Sequence, residues 1–381
     1  HKIEHSTDAT HNLDPMIPFI YRGWQDHKAV IRLQRTAHMA PEILPLLTQY
    51  FDPNGNFSGQ LPEDFFHLQN NLYGNDSIQI GDDAIQAVQR MVAQQSHQLE
   101  KNNIEQQFKL SGGRIGGIKA KLFPYQIEGA AFLAANGRAL LADDMGLGKT
   151  LQSIVAAYWL HKQAGVTKVL IICPASLKSQ WAREIHKFTG MSSQVIQGNA
   201  AQRLPQYRRD SLFMIANYEI IQRDLEVINK ELHPDLIILD EAQRIKNWRT
   251  KIASSIKLLQ SRYAFVLSGT PLENRLEDLY SLMQVVDPHT LGPLWRYMAD
   301  FHITDEKGKV LGYRNLTELR RLIAPVMLRR NRSIVSEQLP ARTNTQIDVS
   351  MTNRQRDLHD GAMNTAGQLA DIARKRPLTP S

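Results

Sequence analysis

The segment Leu141-Ala142-Asp143-Asp144-Met145-Gly146-Leu147-Gly148-Lys149-Thr150 decides the fold. Apolar residues 139–142 read as a short strand, and residues 151–161 read as a helix. A glycine-rich turn that follows a strand and closes with Gly-Lys-Thr at a helix start is the setting of a phosphate loop. Gly146 and Gly148 let backbone N–H groups come close to phosphate oxygens, and the helix N-terminus adds partial positive charge. Lys149 is then placed to reach the β- and γ-phosphates of a nucleotide, and Thr150 to offer its hydroxyl to Mg²⁺. Asp143 stands where the general pattern opens with glycine, and Gly-Lys-Thr can also open an ordinary helix.

Outward from this loop, strands over 168–173, 212–216, 236–239 and 264–267 alternate with helices over 178–188, 218–229 and 276–286. That alternation predicts an α/β domain, a mostly parallel sheet with helices on both faces. Ligands in that architecture sit beyond the carboxyl ends of the strands. Residues 143–150, 240–243 and 268–271 fall at such ends. The strand over 236–239 delivers two carboxylates, Asp240 and Glu241. Alone, such a pair caps a turn or meets solvent. Downstream of Gly-Lys-Thr it suits nucleotide hydrolysis, with Asp240 on Mg²⁺ and Glu241 polarising the attacking water.

Two flanking regions differ from this core. Residues 1–113 read as a mainly helical accessory region, broken by Pro41, Pro45, Pro53 and Pro62, with a turn at Asp52-Pro53-Asn54-Gly55. Within it Ala84, Ile85, Val88, Met91, Val92 and Leu99 recur at helical spacing, as on a helix docked on a neighbour. Four glycines in 111–117 read as a joint rather than a phosphate loop, because no strand precedes them. The domains expected are therefore 1–113, a nucleotide-hydrolysing lobe over 114–287, and a helical extension over 288–381, with a helix over 316–323.

Composition narrows the class. The 381 residues are 42% hydrophobic and 22% charged, which excludes a disordered or collagen-like chain. No apolar run is long enough to span a membrane. The single cysteine, Cys173, excludes an intramolecular disulfide and points to a reducing compartment. It reads as a small buried residue. Net charge is +7, unevenly placed: residues 1–120 carry 10 Lys/Arg against 13 Asp/Glu, and residues 121–381 carry 35 against 25. The second part therefore suits a polyanion or has a modestly basic solvated surface. His1, His5 and His11 read as a frayed end, not a metal site, and the chain reads as cut from something longer. Trp181 and Trp248 are either packed aromatics or nucleic-acid contacts. Arg203, Arg208 and Arg209 are either a solvated face or phosphate grips.

Seven motifs in order resemble the first motor lobe of a Swi/Snf-type ATPase, within superfamily-two helicase-like proteins. Leu122-Phe123-Pro124-Tyr125-Gln126 is similar to the segment whose Gln contacts adenine, and 141–150 to the family's own phosphate loop, where the first glycine is absent. Cys173-Pro174-Ala175-Ser176-Leu177 with Gln180-Trp181, and Ala216-Asn217-Tyr218-Glu219, resemble DNA-contacting segments. Asp240-Glu241-Ala242-Gln243 resembles the acidic motif, with Gln243 where many members have His. Leu267-Ser268-Gly269-Thr270-Pro271 resembles the segment coupling ATP state to DNA, and Met327-Leu328-Arg329-Arg330 the region beyond the first lobe. The wording over 240–274 looks most like bacterial members.

The resemblance implies a RecA-like fold. It implies catalytic Lys149, Asp240 and Glu241, with ATP at Gln126, Asp144, Met145, Gly146, Leu147, Gly148, Lys149 and Thr150, and Mg²⁺ at Thr150 and Asp240. It implies DNA contact or coupling at Ser176, Lys178, Asn217, Gln243, Ser268, Thr270, Arg329 and Arg330. The implied partners are double-stranded DNA, a second RecA-like lobe that nothing after Met351 resembles, and a DNA-bound protein that is remodelled. The implied activity is ATP-driven movement along duplex DNA. The alternatives are a strand-separating DNA or RNA helicase and a lone lobe that binds without turnover. The implied location is the bacterial cytoplasm at the nucleoid, or the nucleus in a eukaryote.

Overall fold

Successive residues of the apolar strands send their side chains to opposite faces, so each strand is buried twice over. Leu140 and Ala142, Leu170 and Ile172, and Ile237 and Leu239 join one core. Their neighbours Ala139 and Leu141, Val169, Ile171 and Cys173, and Leu236 and Ile238 join another. The computed structural model describes residues 17–25, 28–36, 39–247, 249–269, 276–305, 309–333 and 349–375.

The chain begins with a hairpin of β1 (Phe19–Gln25) and β2 (Lys28–Gln34), followed by α1 (Leu44–Tyr50), α2 (Glu63–Asn71), β3 (Gln79–Ile80) and the long α3 (Asp82–Leu110). Helix predominates here as expected, but the hairpin was not anticipated. β3 adds to β1 in parallel, closing a three-stranded sheet over a separate apolar core.

The lobe runs α4 (Pro124–Asn136), β4 (Arg138–Leu141), α5 (Lys149–Gln163), β5 (Val169–Cys173), α6 (Lys178–Thr189), β6 (Ser193–Val195), α7 (Ala200–Tyr207), β7 (Phe213–Asn217) and α8 (Tyr218–Val227). It continues with β8 (Leu236–Leu239), α9 (Lys251–Lys257), β9 (Tyr263–Leu267), α10 (Leu276–Val286) and α11 (Leu294–Phe301). A short hairpin of β10 (His302–Thr304) and β11 (Val310–Tyr313) leads to α12 (Leu316–Ile323) and β12 (Met327–Leu328). Seven strands form one wholly parallel sheet, ordered β12-β4-β9-β8-β5-β7-β6. Buried residues of α4, α5 and α6 cover one face, and those of α8, α9 and α10 the other. This is the RecA-like α/β arrangement. The edge strands β6 and β12 are short and half-buried.

α3 ties the two cores together. Ala84 and Val88 belong to the accessory core, whereas Ile104 and Phe108 belong to the lobe, with the Phe108 ring edge-on to Trp159 at 5.1 Å. Of the expected stripe, Met91, Val92 and Leu99 are exposed. Two of the four glycines after α3 serve close approach: a Cβ on Gly113 would lie 2.7 Å from the Leu122 carbonyl oxygen, and one on Gly117 would lie 1.9 Å from the Tyr158 hydroxyl. Residues 1–338 make one compact unit. Residues 339–381 make a second, whose described part holds α13 (Asn353–Lys375). Among the described residues no helix is long and apolar enough to cross a membrane.

Candidate active site

The strand order brings the carboxyl ends of β4, β9 and β8 side by side. The loop 143–148, Ser268-Gly269 and Asp240-Glu241 therefore share one edge, although they lie far apart in sequence. Gly146 and Gly148 have φ of 85° and 72°, in the left-handed region, so the loop needs glycine at both. Gly148 caps α5, whose first residue is Lys149. The Lys149 ammonium donates to the carbonyls of Asp143 and Asp144, at 2.8 and 3.2 Å. Burial lowers its pKa, against the pull of Asp143, Glu241, Asp240 and Asp144. Gln126, at the start of α4, accepts from the Phe123 N–H at 3.1 Å. Its Nε2 would lie 2.8 Å from a Cβ on Gly148, so this side chain lies against the loop.

Across the edge, Asp240 keeps its backbone in the ladder, donating to the Ile172 carbonyl at 2.8 Å. The residue is only 9% exposed. Its Oδ2 accepts from the Trp181 indole N–H at 2.7 Å, and Oδ1 from the Glu241 N–H at 2.9 Å. The Tyr218 hydroxyl donates to the Asp240 carbonyl at 2.7 Å. Burial raises the Asp240 carboxyl above the ordinary aspartate range, with the Trp181 hydrogen bond opposing. Glu241 has φ 50°, a left-handed backbone that costs a non-glycine residue about 1–3 kcal/mol. That turn ends the strand abruptly and sends the Glu241 carboxylate to accept from Gln243 Nε2 at 2.5 Å. The other amide atom of Gln243, Oε1, is buried with no partner among the described residues.

A glycine-lined loop with a lysine at a helix N-terminus suits an anionic phosphate, and facing hard oxygen donors suit a divalent cation. Thr150, half-buried, is the second residue of α5.

The other expected residues are dispersed. Ser176 and Arg329 are exposed. Lys178 donates to the Ile196 carbonyl at 3.1 Å and Asn217 to Glu219 at 2.6 Å. Ser268 is buried, with its N–H on the Leu141 carbonyl at 3.1 Å. Arg330 is turned inward, 7% exposed, onto Asp143. Thr270, Trp248 and the three N-terminal histidines lie outside the described residues. Arg203 is neither a solvated residue nor a phosphate grip: it is buried against Asp224 at 2.6 Å, with the Tyr207 hydroxyl on the same carboxylate. Arg208 pairs with Glu231 at 3.0 Å, and Arg209 donates to Gln194 at 2.8 Å.

Sequence reading missed the role of Trp181. It is a packed aromatic, 1% exposed, and also the donor that holds Asp240. Its place three residues into α6 gave no sign of a partner 59 positions away. Cys173, at the end of β5, is fully buried, and burial first, then the Asp240 charge, pushes its thiol up to about 12. It should not react with a thiol reagent at about pH 8 until the chain is unfolded. Rapid titration of one thiol in the native chain would contradict that environment.

Residues 125–376 match the family described as the SNF2-related domain. Chromodomain-helicase-DNA-binding protein 6 of Mus musculus is 31% identical over 268 residues, 65% of this chain and 10% of that protein. Chromodomain-helicase-DNA-binding protein 8 of Homo sapiens is 30% identical over 256 residues, 62% of this chain and 10% of that protein. The chain thus spans about a tenth of the length of these curated relatives. The solved Sulfolobus solfataricus SWI2/SNF2 ATPase core in complex with dsDNA is 34% identical, with a TM-score of 0.51, over 59% of this chain and 48% of that one. The chain belongs to the SNF2-related family and carries the first RecA-like lobe of a Swi/Snf-type ATPase.

Proposed function

We propose that this lobe binds ATP with Mg²⁺ and, with a second RecA-like lobe, drives movement along double-stranded DNA, remodelling protein bound there. We divide the chain into an accessory region 1–113, the ATPase lobe 114–287 and a largely helical extension 288–381, which returns β12 to the sheet of the lobe. The observation that supports the reading best is the convergence of Lys149, Thr150, Asp240 and Glu241 at the carboxyl ends of β4 and β8, on either side of β9, with Asp240 held by Trp181. Bound Mg²⁺ would neutralise charge on the β- and γ-phosphate oxygens. Thr150 and Asp240 would hold it, and Gln126 and residues 144–150 would hold the nucleotide. Glu241 orients and polarises the attacking water. The Asp143 and Asp144 carbonyls release Lys149 to the phosphates. Ser176, Lys178, Asn217, Gln243, Ser268, Thr270 and Arg329 serve DNA contact or coupling, which suits the basic 121–381 portion and the DNA-bound relative.

The test is ATP turnover with and without duplex DNA, in this chain and in a protein that joins it to a second lobe. Arginines supplied by a partner contribute about 10³–10⁵-fold in related phosphoryl transfers. The chain alone should bind nucleotide weakly and gain little from DNA, and the joined protein should gain strongly. Robust DNA stimulation of the chain alone, lost in Lys149→Ala, would overturn the half-motor reading.

Trp181→Phe keeps most of the packing and removes one donor. The Asp240 carboxyl then moves further up, because the opposing hydrogen bond is gone. Mg²⁺ needs the ionised form, and a raised pKa means that form is lost as pH falls, sooner than in an ordinary aspartate. Mg²⁺-dependent nucleotide binding should drop about tenfold near pH 7, since hydrogen bonds to charged groups contribute about 1.5–3 kcal/mol. The deficit should widen towards about pH 5. Calorimetry at both pH values checks this, and an unchanged profile would remove Trp181 from the site.

A further inference from the structure

We propose that Arg330 is a positioning residue for the nucleotide loop, and that the segment 328–332 and nucleotide binding are thermodynamically linked through it. The inference rests on reading 143–150 as that loop. Asp143 occupies the position where glycine opens the general pattern, and it is completely buried. Its Oδ1 accepts from the Arg330 N–H at 3.1 Å and from Nε at 3.0 Å, and its Oδ2 accepts from Nη2. Nη2 also donates to Gln152 Oε1 at 2.8 Å, while Nη1 donates to the Tyr125 carbonyl and, at 3.1 Å, to Glu128. All three guanidinium nitrogens are engaged, which a lysine cannot reproduce. Space for the fork comes from Gly129, where a Cβ would lie 1.7 Å from Gln152 Oε1 and 2.8 Å from Nη2.

The backbone follows the same path. The Ala142 N–H donates to the Leu328 carbonyl at 2.7 Å, and the Asp144 N–H to the Arg330 carbonyl at 3.0 Å. The Arg332 N–H donates to the Asp144 carboxylate at 2.9 Å. The β4–β12 pairing is thus prolonged into the loop itself. The loop carbonyls so fixed, those of Asp143 and Asp144, are the two that hold the Lys149 ammonium. Arg330 therefore sets where Lys149 starts from, without facing the nucleotide. Linkage is reciprocal: whatever displaces 328–332 weakens nucleotide binding, and bound nucleotide steadies 328–332.

The test uses the full 381-residue chain with ADP–Mg²⁺ and a non-hydrolysable ATP analogue. Calorimetry on Arg330→Lys and Asp143→Asn, each checked as folded by thermal unfolding, should show affinity reduced by about 10- to 100-fold, as for other groups that orient a site's direct ligands. The double variant should be no worse than the weaker single, because the two side chains act as one unit. Hydrogen exchange on the unaltered chain should slow at the Asp144, Arg330 and Arg332 amides when nucleotide binds. That readout needs no variant to fold, and a purely structural ion pair would not move it. Wild-type affinity in folded Arg330→Lys, or exchange at 328–332 indifferent to nucleotide, overturns the proposal if Lys149→Ala still loses binding. If Lys149→Ala binds as the parent does, the loop assignment itself is at fault.

Discussion

Glu241→Gln, in a protein that joins this lobe to its partner, should bind ATP normally and lose DNA-stimulated hydrolysis by about 10²–10⁴-fold, the range for a positioned acid–base group. The amide preserves size and the reach set by the left-handed backbone at residue 241. It removes the negative charge that polarises water. It also turns the 2.5 Å contact with Gln243 Nε2 into one between neutral amides, weaker than a bond to a carboxylate. Nucleotide affinity should hold, because Lys149, Thr150 and Asp240 are untouched. Turnover and binding measured on one preparation separate the two effects. A variant that hydrolyses at the parental rate would remove Glu241 from the chemistry.

Lys149→Ala should lose nucleotide affinity by about 10- to 100-fold, the equivalent of a charge-assisted hydrogen bond. The ammonium donates to the Asp143 and Asp144 carbonyls, which hold it at the loop. Its partial burial makes the charge more effective there and lowers its pKa. In the parent chain, nucleotide affinity should therefore also fall on the alkaline side, beginning below the ordinary lysine value of 10.5, as the ammonium loses its proton. Calorimetry of parent and variant across that range measures both. Unchanged affinity in Lys149→Ala would mean that nucleotide is held elsewhere.

The local signals that proved sound were those needing no distant partner. The apolar run 236–239 is a strand because four buried residues in succession tolerate little else, and its bounds match the observed β8. The helix at 276–286 was likewise legible from its own periodicity. The hairpin Phe19–Gln25 and Lys28–Gln34 was not, because polar residues interrupt both strands. The stripe in α3 misled for a related reason. Periodicity marks a face but not what covers it, and Met91, Val92 and Leu99 are left exposed while Ile104 and Phe108 dock.

Sequence alone determined that a glycine-rich loop with its lysine closes the end of one strand and a carboxylate pair the end of another, because those features reside in short, contiguous segments. Only the tertiary structure decided which strand ends are neighbours and which buried polar groups meet. The order β4-β9-β8 places residues 143, 240 and 268 on one edge. Trp181 finds Asp240 across 59 residues, and Arg330 finds Asp143 across 187. A buried indole N–H or guanidinium must be satisfied, since leaving it without a partner costs more than the hydrogen bond itself returns. The residue type states that a partner exists; the packing of the sheet and its helices names it.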